Sequence, residues 1–291
     1  MAVVRRANRD DDDKPKKFAA PKTGGLDLSL PTEMTAPIDD LGGCMLLIYG
    51  ERKIGKTSLA AMFGKTFVMA FEVGYKGLRV FAKDVPDWEH ARGYLRLLKK
   101  DRSYKTVTID TADIAFALCE LWTCKRLGIS DISEAEWGKG WRALRKEFES
   151  FLVELTKTGK GIIIISHSQE REVKTRSGDA YDRIMPTMAK AAREIVEGMV
   201  DIWCCYQYDG DRRILTIEGD DHISAGHRFG ERFRTPDGGR IRNIDMGSSA
   251  KEAYQNFVKA WNNKYDADTE DLVEDEEDDK PKKKRKFKLK A

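Results

Sequence analysis

Residues Gly43 to Thr57 read "GCMLLIYGERKIGKT". The apolar run Met45 to Tyr49 ends in Gly50, four residues intervene, and Gly55-Lys56-Thr57 follows. An apolar run without polar alternation suits a strand covered on both faces. Thr57 to Phe63 reads as a helix, with Gly64 near its end. Gly50 to Thr57 therefore fits G-x-x-x-x-G-K-[ST] in the strand–turn–helix context that gives this pattern its meaning. A triphosphate is a dense anion, and a curled loop can aim several backbone N–H groups at it. The expected cradle is Gly50, Glu51, Arg52, Lys53, Ile54, Gly55, Lys56, Thr57 and Ser58. Lys56 is expected on the β- and γ-phosphates and the Thr57 hydroxyl on Mg²⁺.

Outward from this stretch, apolar strand candidates alternate with helical patterns. "TFVMAF" (66–71), "LRVF" (78–81), "YKTVTID" (104–110) and "GIIIIS" (161–166) read as strands. Residues 87–99, 113–127 and 138–157 carry helical spacing. Strands alternating with helices imply a mostly parallel sheet with helices on both faces. "DIWCCYQY" and "RRILTIEG" flank "DGD" and read as an antiparallel hairpin extending that sheet, before a last helix over 249–261. The fold class expected is α/β. It comprises a flexible arm over 1–40, one nucleotide-binding domain over 41–265, and a disordered acidic-then-basic tail over 266–291.

Composition narrows the setting. Charged residues make up 35% of the 291 residues, above the roughly 25% of ordinary domains. The excess sits at the two ends, so the net charge of +3 says little. The charged amino terminus is no secretion signal. The longest aliphatic run, Ile162 to Ile165, is far shorter than the ~20 residues that span a bilayer. The five cysteines form no C-x-x-C pair and read as small buried hydrophobes. A cytoplasmic protein without a membrane partner is expected.

Three polar residues fall at the ends of predicted strands, where an open α/β sheet places its ligand crevice. Asp110 ends "VTID" and suits a magnesium carboxylate; a helix N-cap is the plainer alternative. Glu72 follows "VMAF". Because Thr111, not a glutamate, follows Asp110, Glu72 is the carboxylate available to orient a water. His167 follows "IIIIS" and is placed to contact the γ-phosphate. A guanine nucleotide is not indicated. Asn263-Lys264-Tyr265-Asp266 has the letters of N-K-x-D but trails a helix with no strand before it.

The segments "GERKIGKTSLA", "FVMAFEVG", "YKTVTIDTAD", "EWGKGW", "IIIISHSQERE" and "HISAGHRFG" together resemble the RecA superfamily. More narrowly, they resemble the short phage-encoded RecA-like P-loop ATPases that act in recombination and single-strand annealing. The resemblance covers about 41–245. It implies a RecA-like core with ATP and Mg²⁺ as ligands. Lys56 and Thr57 would be the phosphate and magnesium residues, Glu72 the catalytic glutamate and Asp110 the Walker B aspartate. Ser166-His167 would be the polar sensor; His167 departs from the glutamine of RecA itself. The loop over 169–185 would touch single-stranded DNA. Within it Arg171, Lys174, Arg176 and Arg183 can neutralise phosphates and Tyr181 can stack on a base; a solvated loop is the bland alternative. Arg228 is the first candidate for a cation reaching a neighbour's nucleotide, followed by Lys190 and Arg193, which implies a ring or filament of like subunits.

The function expected is a Mg²⁺-dependent, DNA-stimulated ATPase supporting phage recombination or annealing, with a single-strand-binding or annealing protein as a further partner. The alternative is a nucleotide-sensing interaction module with little turnover, contacting its partner through the charged tails. "KPKKKRKFKLK" (280–290) suits DNA phosphates.

Overall fold

The computed structural model describes residues 30–174 and 180–273. The chain divides into two units, Met1–Pro37 and Ile38–Ala291. Of the first, residues 30–37 carry neither helix nor strand.

The second unit is built on a ten-stranded sheet. Its strands are β1 (Met45–Gly50), β2 (Thr66–Ala70), β3 (Phe81–Asp84), β4 (Thr106–Asp110), β5 (Gly161–Lys174), β6 (Ala180–Pro186), β7 (Ile202–Asp209), β8 (Arg212–Thr216), β9 (Gly226–His227) and β10 (Asn243–Asp245). The order β3-β2-β4-β5-β1-β7 is parallel throughout. The antiparallel extension continues from β7 through β8 to β10. This is the α/β architecture the sequence predicts. β5 runs between the Gly50 strand and the Asp110 strand, which is what brings His167 into the crevice.

The helices are α1 (Lys56–Ala60), α2 (Trp88–Leu98), α3 (Ala112–Leu127), α4 (Lys139–Thr156), α5 (Lys190–Met199) and α6 (Ala250–Trp261). Strand pleating sends alternate side chains to opposite faces, and two cores result. Met45, Leu47 and Tyr49 pack with residues of α2, α3, α4 and α5. Leu46 and Ile48 pack with Leu59 of α1, Phe63 just beyond it, and Phe257 and Trp261 of α6.

Four expectations change. The helix expected to reach Phe63 ends at Ala60, one turn after it starts. The strand expected over 78–81 begins at Phe81 and forms the edge beside β2. Residues 266–273 pack rather than trail: Asp271 is buried and bound by Arg212, and Leu272 bridges to Ile241. The expected DNA loop is a ribbon. β5 continues past the sheet and pairs with β6 from Ser168↔Pro186 to Lys174↔Ala180. Residues 175–179 between them, Arg176 among them, lie outside the described residues, as do both charged ends.

Candidate functional site

Gly50 must be glycine for a reason the sequence alone does not give. A Cβ there would stand 1.8 Å from the carbonyl oxygen of Tyr206 on β7. The loop then stays tied to β7: Glu51 N–H donates to that same oxygen (3.2 Å), and Tyr208 N–H donates to Glu51 Oε1 (3.1 Å). Ile54 is buried against the α1–α6 core and anchors the loop from inside. Gly55, at φ 112°, leads into α1 with a backbone that side chains rarely adopt. Because α1 is a single turn, its dipole is short, and the loop amides carry most of the attraction for an anion.

The cavity over this loop has a volume of about 500 Å³ and is lined by Arg52, Lys53, Gly55, Lys56, Thr57, Ser58, Glu72, Asp110 and His167, among others. Gly50, Glu51 and Ile54 shape the loop without lining the cavity.

Lys56 is buried. Its Nζ donates to the carbonyls of Gly50 (2.8 Å) and Glu51 (2.5 Å) and lies 3.5 Å from His167 Nδ1. Burial pushes its pKa down to about 8, against the pull of Asp110, Glu72 and Asp113. An ammonium has no acceptor, so Nδ1 accepts from Lys56, and Nε2–H is left to donate to Glu72 Oε2 at 3.1 Å. His167 is thus a bridge between the phosphate lysine and the carboxylate expected to orient water.

Glu72 reaches the site because Ala70 pairs with Asp110, and the N–H groups of Phe71 and Glu72 both donate to the Asp110 carbonyl (2.7 and 2.9 Å). Asp110 itself accepts from Thr57 Oγ1 at 2.7 Å. Burial raises its pKa, the Thr57 hydrogen bond opposes that, and Glu72 adds to it. The N-cap role weighed for Asp110 falls to Thr111, which makes no side-chain cap bond. Lys56, Thr57, Glu72, Asp110 and His167 therefore meet in one place.

The adjoining Thr57 hydroxyl and Asp110 carboxylate are hard oxygen donors. Among the described residues no cluster of three or more His, Cys, Asp or Glu forms a cage. That set suits Mg²⁺, which keeps several waters and takes one or two protein oxygens plus substrate phosphates.

Sequence reasoning missed Asp113 and Thr187. Thr187 N–H donates to the His167 carbonyl (2.9 Å) and its hydroxyl donates to Asp113, so the ribbon's base is fastened beside the sensor. The second Asp113 oxygen is buried without a partner. The only local signal was the repeated acid of "DTAD".

The ribbon sorts charges that look mixed in the sequence. Gln169, Arg171 and Val173 face the same side as their partners Met185, Arg183 and Tyr181. Glu170, Glu172 and Lys174 face the other side with Ile184, Asp182 and Ala180. Arg171 stands directly opposite Arg183, while Lys174 belongs to the acidic face beside Glu172 (3.9 Å). Tyr181 meets His222 edge-on at 5.8 Å, and Arg183 Nη2 donates to the Asp220 carbonyl at 3.3 Å.

Arg228 is not brought to the crevice of its own chain. β9 pairs His227 with Ile202, level with Leu46 at the far end of β1, and Arg228 holds Asp201 (3.8 Å) and the Gly198 carbonyl (3.2 Å). Arg193 is mostly buried, with Nη1 3.2 Å from Met185 Sδ. Lys190 stays exposed.

A family model described as an AAA domain matches residues 43–229. The chain belongs to this family of P-loop ATPases. The SPbeta prophage-derived uncharacterized protein YorG of Bacillus subtilis (strain 168) is 23% identical over 137 residues, or 45% of this chain and 42% of that protein. The chain thus matches less than half the length of that curated relative. Among solved structures, the KaiC-like protein PH0186 of Pyrococcus horikoshii OT3 aligns over 65% of this chain and 83% of its own, at 15% identity and a TM-score of 0.36. No helix among the described residues is long and apolar enough to cross a membrane.

Proposed function

We propose that this AAA-family ATPase is a Mg²⁺-dependent, RecA-like enzyme that grips single-stranded DNA with the β5–β6 ribbon and serves phage recombination or annealing. The observation that carries this reading is the position of His167. Its imidazole bridges Lys56 and Glu72, its carbonyl is held by Thr187, and the same strand runs on into the ribbon. The prophage origin in the name of YorG supports the setting.

In this reading the amides of the 50–58 loop and Lys56 hold the phosphates. Thr57 and Asp110 would hold Mg²⁺, which would neutralise phosphate charge. To meet the γ-phosphate, Lys56 leaves the Gly50 and Glu51 carbonyls. His167 Nδ1 then loses its donor, and the imidazole turns toward the phosphate. Glu72 is released to accept a hydrogen bond from the attacking water and to orient it. The ribbon, joined to His167 through one strand, shifts with it. Arg171 and Arg183 on one face then take the phosphates of the single strand, which releases its condensed counterions.

ATP hydrolysis measured with and without oligo(dT) tests the proposal. Stimulation by the oligonucleotide, lost in His167→Ala while nucleotide binding persists, is the expected result. Turnover indifferent to DNA, together with no nucleotide-dependent DNA binding, would sink it.

A further inference from the structure

The "EWGKGW" segment has no part in the nucleotide site, yet it displays the most exposed tryptophan of the described chain. Trp137 is 88% exposed and Trp141 45%. Trp137 sits in a 3-10 turn (Glu136–Gly138) at φ 57°, and Gly138 follows at φ 66°. A bulky residue in the left-handed region is an outlier in folded chains. Here that backbone lifts an indole into solvent where a core would bury it. Gly140, one turn on, is packed under the Ile132 carbonyl, where a Cβ would come within 2.4 Å. The segment just before the turn, from Ile132 to Ala135, is thereby packed against α4. Lys139 lies between the two indoles and Arg142 follows the second; both are exposed, as is Glu136 before the first.

The fold places this turn at the same end of the molecule as the ribbon. β5 starts at Gly161, level with Thr106 at the start of β4, so α4 finishes at the end of the sheet away from the nucleotide. Trp88, the first residue of α2 after β3, stacks on Phe148, and Lys99 at the far end of α2 reaches Glu154 (2.5 Å). Phe148 is therefore level with the nucleotide end of the strands. At ~1.5 Å per residue the start of α4 lies roughly 13 Å further out. α5, which begins just after the ribbon, runs beside it, with Arg145 on Glu194 at 2.9 Å. Trp141 is one helical turn before Arg145, as Lys190 is before Glu194.

We infer that Trp137 and Trp141 form a base-stacking platform for single-stranded nucleic acid, a second contact for the strand whose phosphates the ribbon holds. This rests on the DNA-binding reading above. Two indoles with Lys139 between them and Arg142 after them offer an unstacked base a π-face to lie on and charge for the adjoining phosphate. Among its described residues the ribbon supplies two arginines but only one aromatic, Tyr181, whose ring is engaged with His222. The tryptophan turn supplies what the ribbon lacks. An intact duplex, with its bases already stacked, gains nothing from it.

The full chain is titrated with oligo(dT), with an abasic oligomer of equal length, and with duplex DNA, following tryptophan emission and anisotropy across a salt series. The variants are Trp137→Ala/Trp141→Ala, Trp137→Phe/Trp141→Phe and Arg171→Ala/Arg183→Ala. Oligo(dT) should quench the wild type, and the double alanine variant should bind it about tenfold more weakly. Its salt slope and its affinity for the abasic oligomer should stay unchanged, and phenylalanine should recover much of the loss. The arginine variant should show the opposite pattern, a lower slope for both oligomers. Basal ATPase without DNA should not change in the tryptophan variants. Equal affinity of wild type and double alanine variant for oligo(dT) overturns the platform. So does a loss of self-association in sedimentation in place of a loss of DNA affinity, which would make the turn a protein contact. If the wild type binds no oligonucleotide with or without nucleotide, the DNA-binding reading itself fails. Oligonucleotide binding sensitive to Arg171 and Arg183 but not to Trp137 and Trp141 removes this inference alone.

Discussion

Nucleotide binding should draw in a proton near pH 9. Lys56 is buried among the Gly50 and Glu51 carbonyls, and its ammonium is discharged near pH 8 in place of the usual 10.5. A change of that size is worth on the order of 3 kcal/mol against the charged form. Between about pH 8 and 10.5 the folded chain binds fewer protons at this site than the unfolded chain. Stability carries the cost of the buried charge below pH 8 and recovers it as pH rises through that window. A triphosphate reverses the balance by placing full negative charges on the ammonium. At pH 9 the free site is about 10% protonated, and a nucleotide-bound lysine restored to its ordinary value is almost wholly so. Calorimetry in two buffers of different ionisation enthalpy should report uptake of about 0.9 proton at pH 9. Kd should rise about sevenfold per pH unit between 8.5 and 10. In Lys56→Ala both effects should vanish along with most of the affinity. Zero proton uptake at pH 9 in the wild type, with tight binding retained, would refute the coupling of this lysine to the phosphates.

Other consequences follow from the same geometry. Glu72→Gln keeps the shape that His167 contacts but is a poor acceptor for a water proton, so single-turnover hydrolysis should fall by about 10²–10⁴ with nucleotide affinity retained. Gly50→Ala forces a methyl against the Tyr206 carbonyl and opens the Glu51–Tyr206 bond. At about 2 kcal/mol, thermal unfolding should come roughly 4–8 °C lower. Asp110→Asn should melt no lower than wild type at pH 7 without nucleotide. Burial raises the Asp110 pKa, so the native chain binds the extra proton, and the wild type loses stability as pH rises above the unfolded value of 3.8. That gap should close toward pH 4, while Mg²⁺-dependent hydrolysis by the variant should be lost.

How much of this was legible depends on whether the signal was local. Met45 to Tyr49, Thr106 to Asp110 and Gly161 to Ser166 announce a parallel sheet because strands buried on both faces tolerate few charged residues, and Asp110 and His167 stand out as the first titratable side chains at those strand ends. Glu72 was legible for the same reason. The helix after the loop was not, because its early stop at Ala60 is imposed by the packing of Phe63 against Tyr254 and Phe257, nearly two hundred residues away. Nor was the need for glycine at position 50, since the atom it avoids belongs to Tyr206. Nor was the place of Arg228, which lies at the opposite end of the sheet from its own crevice because β9 is two residues long and pairs with the start of β7.

The ribbon shows how a period, more than a composition, can sort charge. From Gln169 to Met185 acids and bases alternate so closely that net charge offers no sign of a partner. A flexible loop would present them together, and the carboxylates would cancel most of the attraction for a polyanion. Pairing β5 with β6 converts the alternation into two opposed surfaces, and Arg171 then faces Arg183 across the ladder at a cost in repulsion that an anion relieves. The repulsion between Glu172 and Asp182 on the other face acts in the same sense. Binding a phosphate strand on one face, or a cation on the other, stabilises the paired ribbon itself. The order of the ribbon and the occupancy of its cationic face are therefore linked quantities, and the strand that fixes His167 is part of that linkage. Any ligand that straightens β5 beyond Ser168 also acts on the strand that carries His167, which gives the nucleotide crevice and the ribbon a shared mechanical element.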